Sequence, residues 1–381
     1  MKIVTIIGAR PQIIKASAIS RAIKKHNSLF ANGKSKQIEE VLVHTGQHYD
    51  ENMSGVFFSQ MQIPTPKYNL AVGSASHGVQ TSLITQGIEE VLLKEKPQAI
   101  ILYGDTNSTL AGAIAASKIF VPIVHIEAGL RSKDKIMPEE INRVLCDHVS
   151  TLLFCPTQAA IDNLKCEGFP LTTHSNPNIN QPNVYHCGDI MLDNTLYFSA
   201  MAKPVQALKG IDKYILCTIH RNANTDSKDR LTNIFAALLT LAKTNNIILP
   251  LHPRTRKMIS SLLDLELQGK MNSNENLHII EPMGYLEMVY LEKHCSLIIT
   301  DSGGVQKEAY FLQHPCVIMR PETEWVEIVR ENCAFIADAD TKKIISGANN
   351  FLNHPPKDYP SIFGEGKAAE FIIQETVKTL S

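Results

Sequence analysis

Three carboxylates fall where a folded chain has little reason to keep them unless they are used. Asp105 follows the apolar run of "AIILYGDTNSTLAG", Glu127 follows that of "VPIVHIEAGLRS", and Glu139 opens the helical pattern "PEEINRVLCDHVS". A carboxylate at the end of a buried strand costs desolvation free energy unless it is paired or functional. Three of them within one half of the chain suit general acid–base chemistry. A simpler role is open to Asp105, because the Thr-Asn-Ser-Thr after it reads as a helix start that an aspartate can cap. Glu139 and Arg143 stand at i,i+4 spacing, which predicts an ion pair along one helix face.

The second half of the chain carries different chemistry. His220-Arg221 follows one apolar run, and His252 and Arg254 follow the next, a pattern suited to anionic ligands. In "LIITDSGGVQKEA" a strand runs into Ser302-Gly303-Gly304 and then a helix from about Val305. Glycines let backbone N–H groups approach a phosphate at a helix N-terminus, although a tight turn alone would use the same residues. Glu308, one turn further on, suits ribose hydroxyls better than phosphate, so the stretch fits a nucleoside diphosphate. At the other end of the chain, "GARPQIIK" turns from strand to helix with Arg10 in the turn. The GxGxxG of a dinucleotide fold is absent there.

The elements that must position these groups alternate between apolar runs and helical patterns, as parallel βαβ units do. Strands are expected at 2–7, 40–44, 98–103, 122–126, 151–155 and 184–187, and again at 214–218, 246–250, 277–280, 296–300, 316–319 and 333–336. The polar, proline-rich stretch 170–183 reads as a surface loop, and 200–213 as a linker. The fold class is therefore α/β, with two doubly wound, Rossmann-like domains facing a cleft and ligands expected at the strand C-termini. The expected domains are 1–200, 201–364 and a C-terminal helix in 365–381.

Length and composition set the outer limits. A chain of 381 residues is long for one core. Its 37 basic and 38 acidic side chains leave a formal charge of −1, which gives no field for nucleic acid. No apolar run approaches a membrane span, and the first strand lacks a signal peptide's cleavage pattern. The eight cysteines never come closer than nine positions, so reduced, packed thiols in a cytoplasmic protein are expected, with no zinc site.

Taken together, the motifs GARPQIIK, TGQHYDENMS, GDTNSTLAG, HIEAGLRS, PEEINR, FCPT, HRN, LHP, DSGG and TEWVE resemble those of the non-hydrolysing UDP-N-acetylglucosamine 2-epimerases, in order from residue 1 to about 330. The resemblance implies the two-domain glycosyltransferase-B architecture, with a C-terminal helix crossing back to the first domain. It implies catalytic roles for Asp105, Glu127, Glu139 and His220. It implies substrate or UDP contacts for Arg10, Lys15, Arg143, His252, Ser302, Gly303, Gly304, Glu308 and Arg320, with Arg143 close to Glu139. No cofactor or metal is implied, and a homodimer is.

Two departures bear on the sugar. Members specific for UDP-N-acetylglucosamine usually carry Thr-Arg-Pro-Glu at the first turn and TERPE near 323, where this chain has Ala9-Arg10-Pro11-Gln12 and Thr323-Glu324-Trp325-Val326-Glu327. TGQHYDENMS and GDTNSTLAG are more similar to the branch acting on UDP-2,3-diacetamido-2,3-dideoxy-glucuronate for surface polysaccharide. On this reading Gln12 bears on which sugar enters, and Trp325 either lines the cleft or packs in the core. Gln47 and His48 match part of a segment that binds an activating UDP-sugar in some members, but Tyr49-Asp50-Glu51 differ. The competing expectations are a UDP-N-acetylglucosamine substrate, a hydrolysing epimerase, a glycosyltransferase of the same fold, and a UDP-sugar sensor.

Overall fold

A computed structural model describes residues 1–30, 37–46, 58 and 61–380. The chain divides into two compact units, Met1–Asn194 with Ser361–Ser381, and Thr195–Pro360.

In the first unit β1 (Lys2–Ile7), a β-branched run buried after its first residue, sits at the centre of a parallel sheet. Its companions are β2 (Glu39–His44), β3 (Tyr68–Asn69), β4 (Ala99–Tyr103), β5 (Ile123–Ile126), β6 (Leu152–Cys155) and β7 (Asn183–His186), in the order β3-β2-β1-β4-β5-β6-β7. Because the order reverses at β1, which pairs Ile3 with Glu40 on one side and with Ala99 on the other, the loops after β1 and β4 diverge. That divergence is where doubly wound sheets bind ligands. The connecting helices are α1 (Arg10–Leu29), α2 (His77–Glu95), α3 (Asn107–Lys118), α4 (Pro138–Val149), α5 (Gln158–Cys166) and α6 (Ile190–Ser199). The core joins Val4, Ile6, Val41, Val43, Ile100 and Leu102 of the sheet to Ile84, Ile88 and Leu92 of α2. The last three recur at i, i+4 and i+8, the stripe of an amphipathic helix.

The second unit repeats the plan. Parallel strands β8 (Tyr214–Thr218), β9 (Asn246–Pro250), β10 (Leu277–Ile280), β11 (Leu297–Thr300), β12 (Cys316–Ile318) and β13 (Ala334–Ile336) run in the order β10-β9-β8-β11-β12-β13, so this sheet reverses at β8. Its helices are α7 (Asn222–Thr225), α8 (Lys228–Leu241), α9 (Pro253–Leu262), α10 (Leu265–Asn272), α11 (Tyr285–His294), α12 (Gly303–Phe311), α13 (Val326–Arg330) and α14 (Thr341–Asn353). Leu231, Ile234, Phe235, Leu238 and Leu241 of α8 are buried against the sheet, each contributing about 1.5–3 kcal/mol.

The last helix, α15 (Ala368–Leu380), belongs to the first unit and packs on α1. The Asp193 carboxylate accepts the N–H groups of Ala368 at 3.2 Å and Ala369 at 2.9 Å at its N-terminus, and Phe371 meets Phe154 and Tyr185 edge-on. Burial pushes the Asp193 carboxyl up to about 6. All eight cysteines are free thiols, and among the described residues no helix is long and apolar enough to cross a membrane.

Candidate active site

In the first unit the acidic residues gather at the C-terminal ends of β4 and β5. Gly104 turns the chain with φ +60°, and a Cβ there would lie 3.0 Å from Glu127 Oε2 and 3.3 Å from Lys15 Nζ. Glycine thus lets the ion pair between Lys15 and Glu127 close against the turn. Glu127 itself holds φ +70°, a left-handed conformation that is costly for a side chain with a Cβ and that often marks functional sites.

Asp105 is not a helix cap. Thr106 caps α3 through Thr109 N–H, while the Asp105 carboxylate, about a third exposed, pairs with Arg143. Burial opposes the charge of Arg143, but the carboxylates of Asp105, Glu140 and Glu127 outweigh it and hold its pKa above the usual value. This corrects the expected pairing of Arg143 with Glu139. On α4 the partner is Glu140, at i,i+3 and 3.0 Å, whereas Glu139 points to the exposed side. Glu140 also accepts the N–H groups of Ser132 at 2.9 Å and Lys133 at 3.0 Å, tying down the loop before its helix.

A fully buried network supports the segment that carries Glu127. His125 places Nδ1 2.7 Å from Asp147 Oδ1 and Nε2 2.8 Å from the Gly104 carbonyl, so both ring nitrogens face acceptors. Asp147 further accepts Gly129 N–H at 3.1 Å and Arg131 at 2.7 Å. Burial disfavours charge on His125, but the Cys146 sulfur and the Asp147 carboxylate around it raise its pKa well above the ordinary histidine value.

The β1–α1 turn is locked in a way the sequence does not reveal. A Cβ on Gly8 would strike the Thr45 and Ser108 hydroxyls, which bond each other at 2.9 Å. Gln12 is buried; its Oε1 accepts Gly8 and Ala9 N–H at 2.9 and 3.2 Å, and its Nε2 donates to Tyr103 O, Thr106 Oγ1 and Thr109 Oγ1. Its amide is committed to the turn, so any bearing Gln12 has on which sugar enters runs through the shape of that turn. Arg10 opens α1 with an exposed side chain. Gln47, His48, Tyr49, Asp50 and Glu51 lie outside the described residues.

In the second unit the C-terminal ends of β8 and β11 lie side by side and bring the HR and DSGG motifs together. His220 Nδ1 is 3.3 Å from Asp301 Oδ1, and the fully buried Asp301 also accepts the backbone N–H groups of His220 and Arg221. The pKa of His220 lies below the ordinary value because burial and the nearby Arg221 and His252 outweigh the pull of Asp301. Ser302 caps α12 through Val305 N–H, so the helix begins at Gly303. A Cβ on Gly303 would approach Arg221, Arg320 and Glu324 at 3.7–3.8 Å, so two guanidinium groups and a carboxylate rim this N-terminus. Arg320 is held by Glu324 through two bonds of 2.9 Å. His252 caps α9, accepting Arg254 N–H at 3.3 Å. Glu308 is buried on α12, and its charge adds to burial in raising the pKa of Glu292, itself buried on α11. Trp325 is 5 % exposed, donates Nε1–H to the Gly303 carbonyl at 3.0 Å and carries Lys307 Nζ 4.1 Å above its ring. It is a brace for the Ser-Gly-Gly turn, which decides between the two roles open to it. Asp301 stands directly before Ser-Gly-Gly and Asp147 shares the helix of Glu139, Glu140 and Arg143, but the sequence assigns a role to neither. Among the described residues no three His, Cys, Asp or Glu side chains converge as metal ligands would.

The chain that sets these carboxylates and cations on one doubly wound sheet, and a Ser-Gly-Gly turn beside a histidine on another, matches a known family. Residues 31–376 match the family model of UDP-N-acetylglucosamine 2-epimerase. The chain belongs to this family. It is 47% identical over 380 residues to the UDP-2,3-diacetamido-2,3-dideoxy-D-glucuronate 2-epimerase of Pseudomonas aeruginosa, covering 99% of this chain and all of that protein. It is 46% identical over 380 residues to a UDP-N-acetylglucosamine 2-epimerase homolog of Methanococcus maripaludis, covering 98% and 99%. The crystal structure of the Methanocaldococcus jannaschii UDP-GlcNAc 2-epimerase, in complex with UDP-GlcNAc and UDP, is similar with a TM-score of 0.83 and 41% identity, over 98% of this chain and 99% of that one. The resemblance carried by the motifs is borne out, and the fold is of the glycosyltransferase-B type. As an epimerase-family member the chain is an isomerase, which sets aside the glycosyltransferase reading.

Proposed function

We propose that this epimerase inverts C2 of a UDP-2-acetamido sugar between gluco and manno forms without hydrolysis, and that its substrate is UDP-2,3-diacetamido-2,3-dideoxy-glucuronate. The C2 proton of such a sugar is not acidic, so direct removal and return is slow. Breaking the C1–O bond first gives C1 oxocarbenium character, and the C2 proton then passes to a carboxylate, leaving UDP and a 2-acetamidoglycal. A proton delivered to the opposite face of C2, with the β-phosphate oxygen adding back to C1, completes the inversion with atoms and charge balanced.

The observation that carries this reading is the pair of carboxylates at the ends of β4 and β5, each held against its own cation: Asp105 on Arg143 and Glu127 on Lys15. Two such groups can share the proton transfers to the two faces. Glu139, exposed on the first turn of α4, is the third candidate. His220, with Nδ1 on Asp301, offers Nε2 to the departing diphosphate, and Arg10 adds charge. The α12 N-terminus with Ser302, Gly303, Gly304 and Arg320 suits the diphosphate, and Glu308 and His252 the remainder of UDP.

The substrate is favoured by the 47% identity to the uronate epimerase together with the shared motifs. Two copies of the chain are proposed to pair, since Leu83, Ile114, Ile141 and Leu145 are exposed on the adjacent helices α2, α3 and α4. Free thiols, most of them buried, fit a cytoplasmic place in surface-polysaccharide synthesis. Parallel incubations with the diacetamido-glucuronate and with UDP-N-acetylglucosamine test the substrate. Faster conversion of the uronate is expected, and faster conversion of UDP-N-acetylglucosamine overturns it.

A further inference from the structure

Behind His220 the hydrogen bonds do not stop at Asp301. Asn224, 1 % exposed on α7, donates Nδ2–H to Asp301 Oδ2 at 3.0 Å and to the Met319 carbonyl at 3.0 Å. Its Oδ1 accepts Arg230 Nε–H at 2.8 Å. Arg230, on α8, is in turn held by Asp338 through its two terminal nitrogens. A guanidinium has no acceptor, so Arg230 fixes the Asn224 amide with its oxygen outward and its NH₂ toward Asp301. The hydrogen bonds to Asp301 thus come from two backbone N–H groups and the Asn224 amide, with the His220 ring Nδ1 3.3 Å from Oδ1.

We propose that Asn224 and Arg230 are positioning residues that act through Asp301 to set the tautomer and proton affinity of His220. The Asn224 amide stabilises the Asp301 carboxylate and drains part of its charge. The carboxylate therefore orients the ring, with the proton on Nδ1, without drawing His220 into the permanently charged state. The other charged or titratable groups facing His220 are Arg221 and His252, and both disfavour its protonation. The inference rests on the reading that His220 acts on the diphosphate, but its test does not depend on that reading.

The test combines ¹⁵N NMR of the His220 ring with pH profiles of kcat/KM in the full-length protein. In Asn224→Asp an acceptor faces Asp301, and the His220 titration is expected to move up by about one pH unit. The acid limb of kcat/KM should move with it, while UDP binding at high pH stays unchanged. Arg230→Met, at a half-buried site, should produce a smaller shift of the same sign, and Arg230→Lys should restore most of it. If Asn224→Asp and Arg230→Met fold and leave the His220 titration and tautomer as in the parent, the proposal is overturned. An NMR shift without a kinetic one supports the network and removes His220 from the reaction instead.

Discussion

Glu127→Gln is expected to lower kcat by about 10²–10⁴, the usual scale for losing a proton-transfer group. Glutamine keeps the shape of the side chain and its contact with Lys15 but cannot take or deliver a proton at neutral pH. The position is otherwise well defended: the backbone N–H groups of Glu127 and Ala128 bond the Phe154 carbonyl, and the Gly104 turn fits the ion pair. The variant should therefore fold normally and bind UDP as the parent does, because the turn proposed to hold the diphosphate lies in the other unit. Asp105→Asn should act on the same scale. Following deuterium exchange from the gluco and manno sugars separately then assigns each carboxyl to a face, since the variant lacking a given base loses exchange from one sugar more than from the other. A loss below about tenfold in both variants would remove these carboxyls from the proton transfers.

Asp147→Asn is expected to have the largest effect on stability. Asp147 is fully buried between His125 and Arg131, and removing one member of a buried ionic network costs about 3–5 kcal/mol; here His125 loses its carboxylate, while Arg131 keeps its pair with Glu167. The loss should be read from chemical unfolding of the first unit. Activity should fall as well, because the network holds the turn that carries Glu127. The pH dependence follows from the two shifts. Against burial, the His125 and Arg131 cations hold the pKa of Asp147 below the ordinary carboxylate value. Its contribution is therefore present above the unfolded value and fades as pH falls through the folded one. The pKa of His125 is raised, so its contribution is present below the ordinary histidine value and is lost as pH rises through its folded pKa. The parent should thus lose this stabilisation at both acid and alkaline extremes, and Asp147→Asn should flatten both slopes.

Much of the scaffold is legible from local chemistry. Strands 2–7, 214–218, 246–250 and 277–280 coincide with their expected bounds, because each is a mostly apolar, β-branched run with a clear edge. The strand Tyr68–Asn69 was not foreseen; two residues at a sheet edge carry no periodicity, and it exists through pairing with Val43 and His44. Positions of chemistry at strand ends are equally legible, since a charge there stands out against its apolar run. Their partners are not. Arg143 reaches Asp105 across 38 residues, while the i,i+4 spacing pointed to Glu139. The role of Gln12 is hidden because three of the five polar atoms on its amide come from residues 103–109, more than 90 positions away. The partners of Asp301 are equally hidden, because its donors come from residues about 80 positions away.

The claim that C1–O cleavage precedes inversion is tested most directly with a UDP-sugar carrying ¹⁸O in the bridge between C1 and the β-phosphate, incubated in D₂O. The account predicts that the label scrambles into the non-bridging β-phosphate oxygens while deuterium enters C2 and no net UDP accumulates. Deuterium at C2 with the bridging label left in place would contradict it.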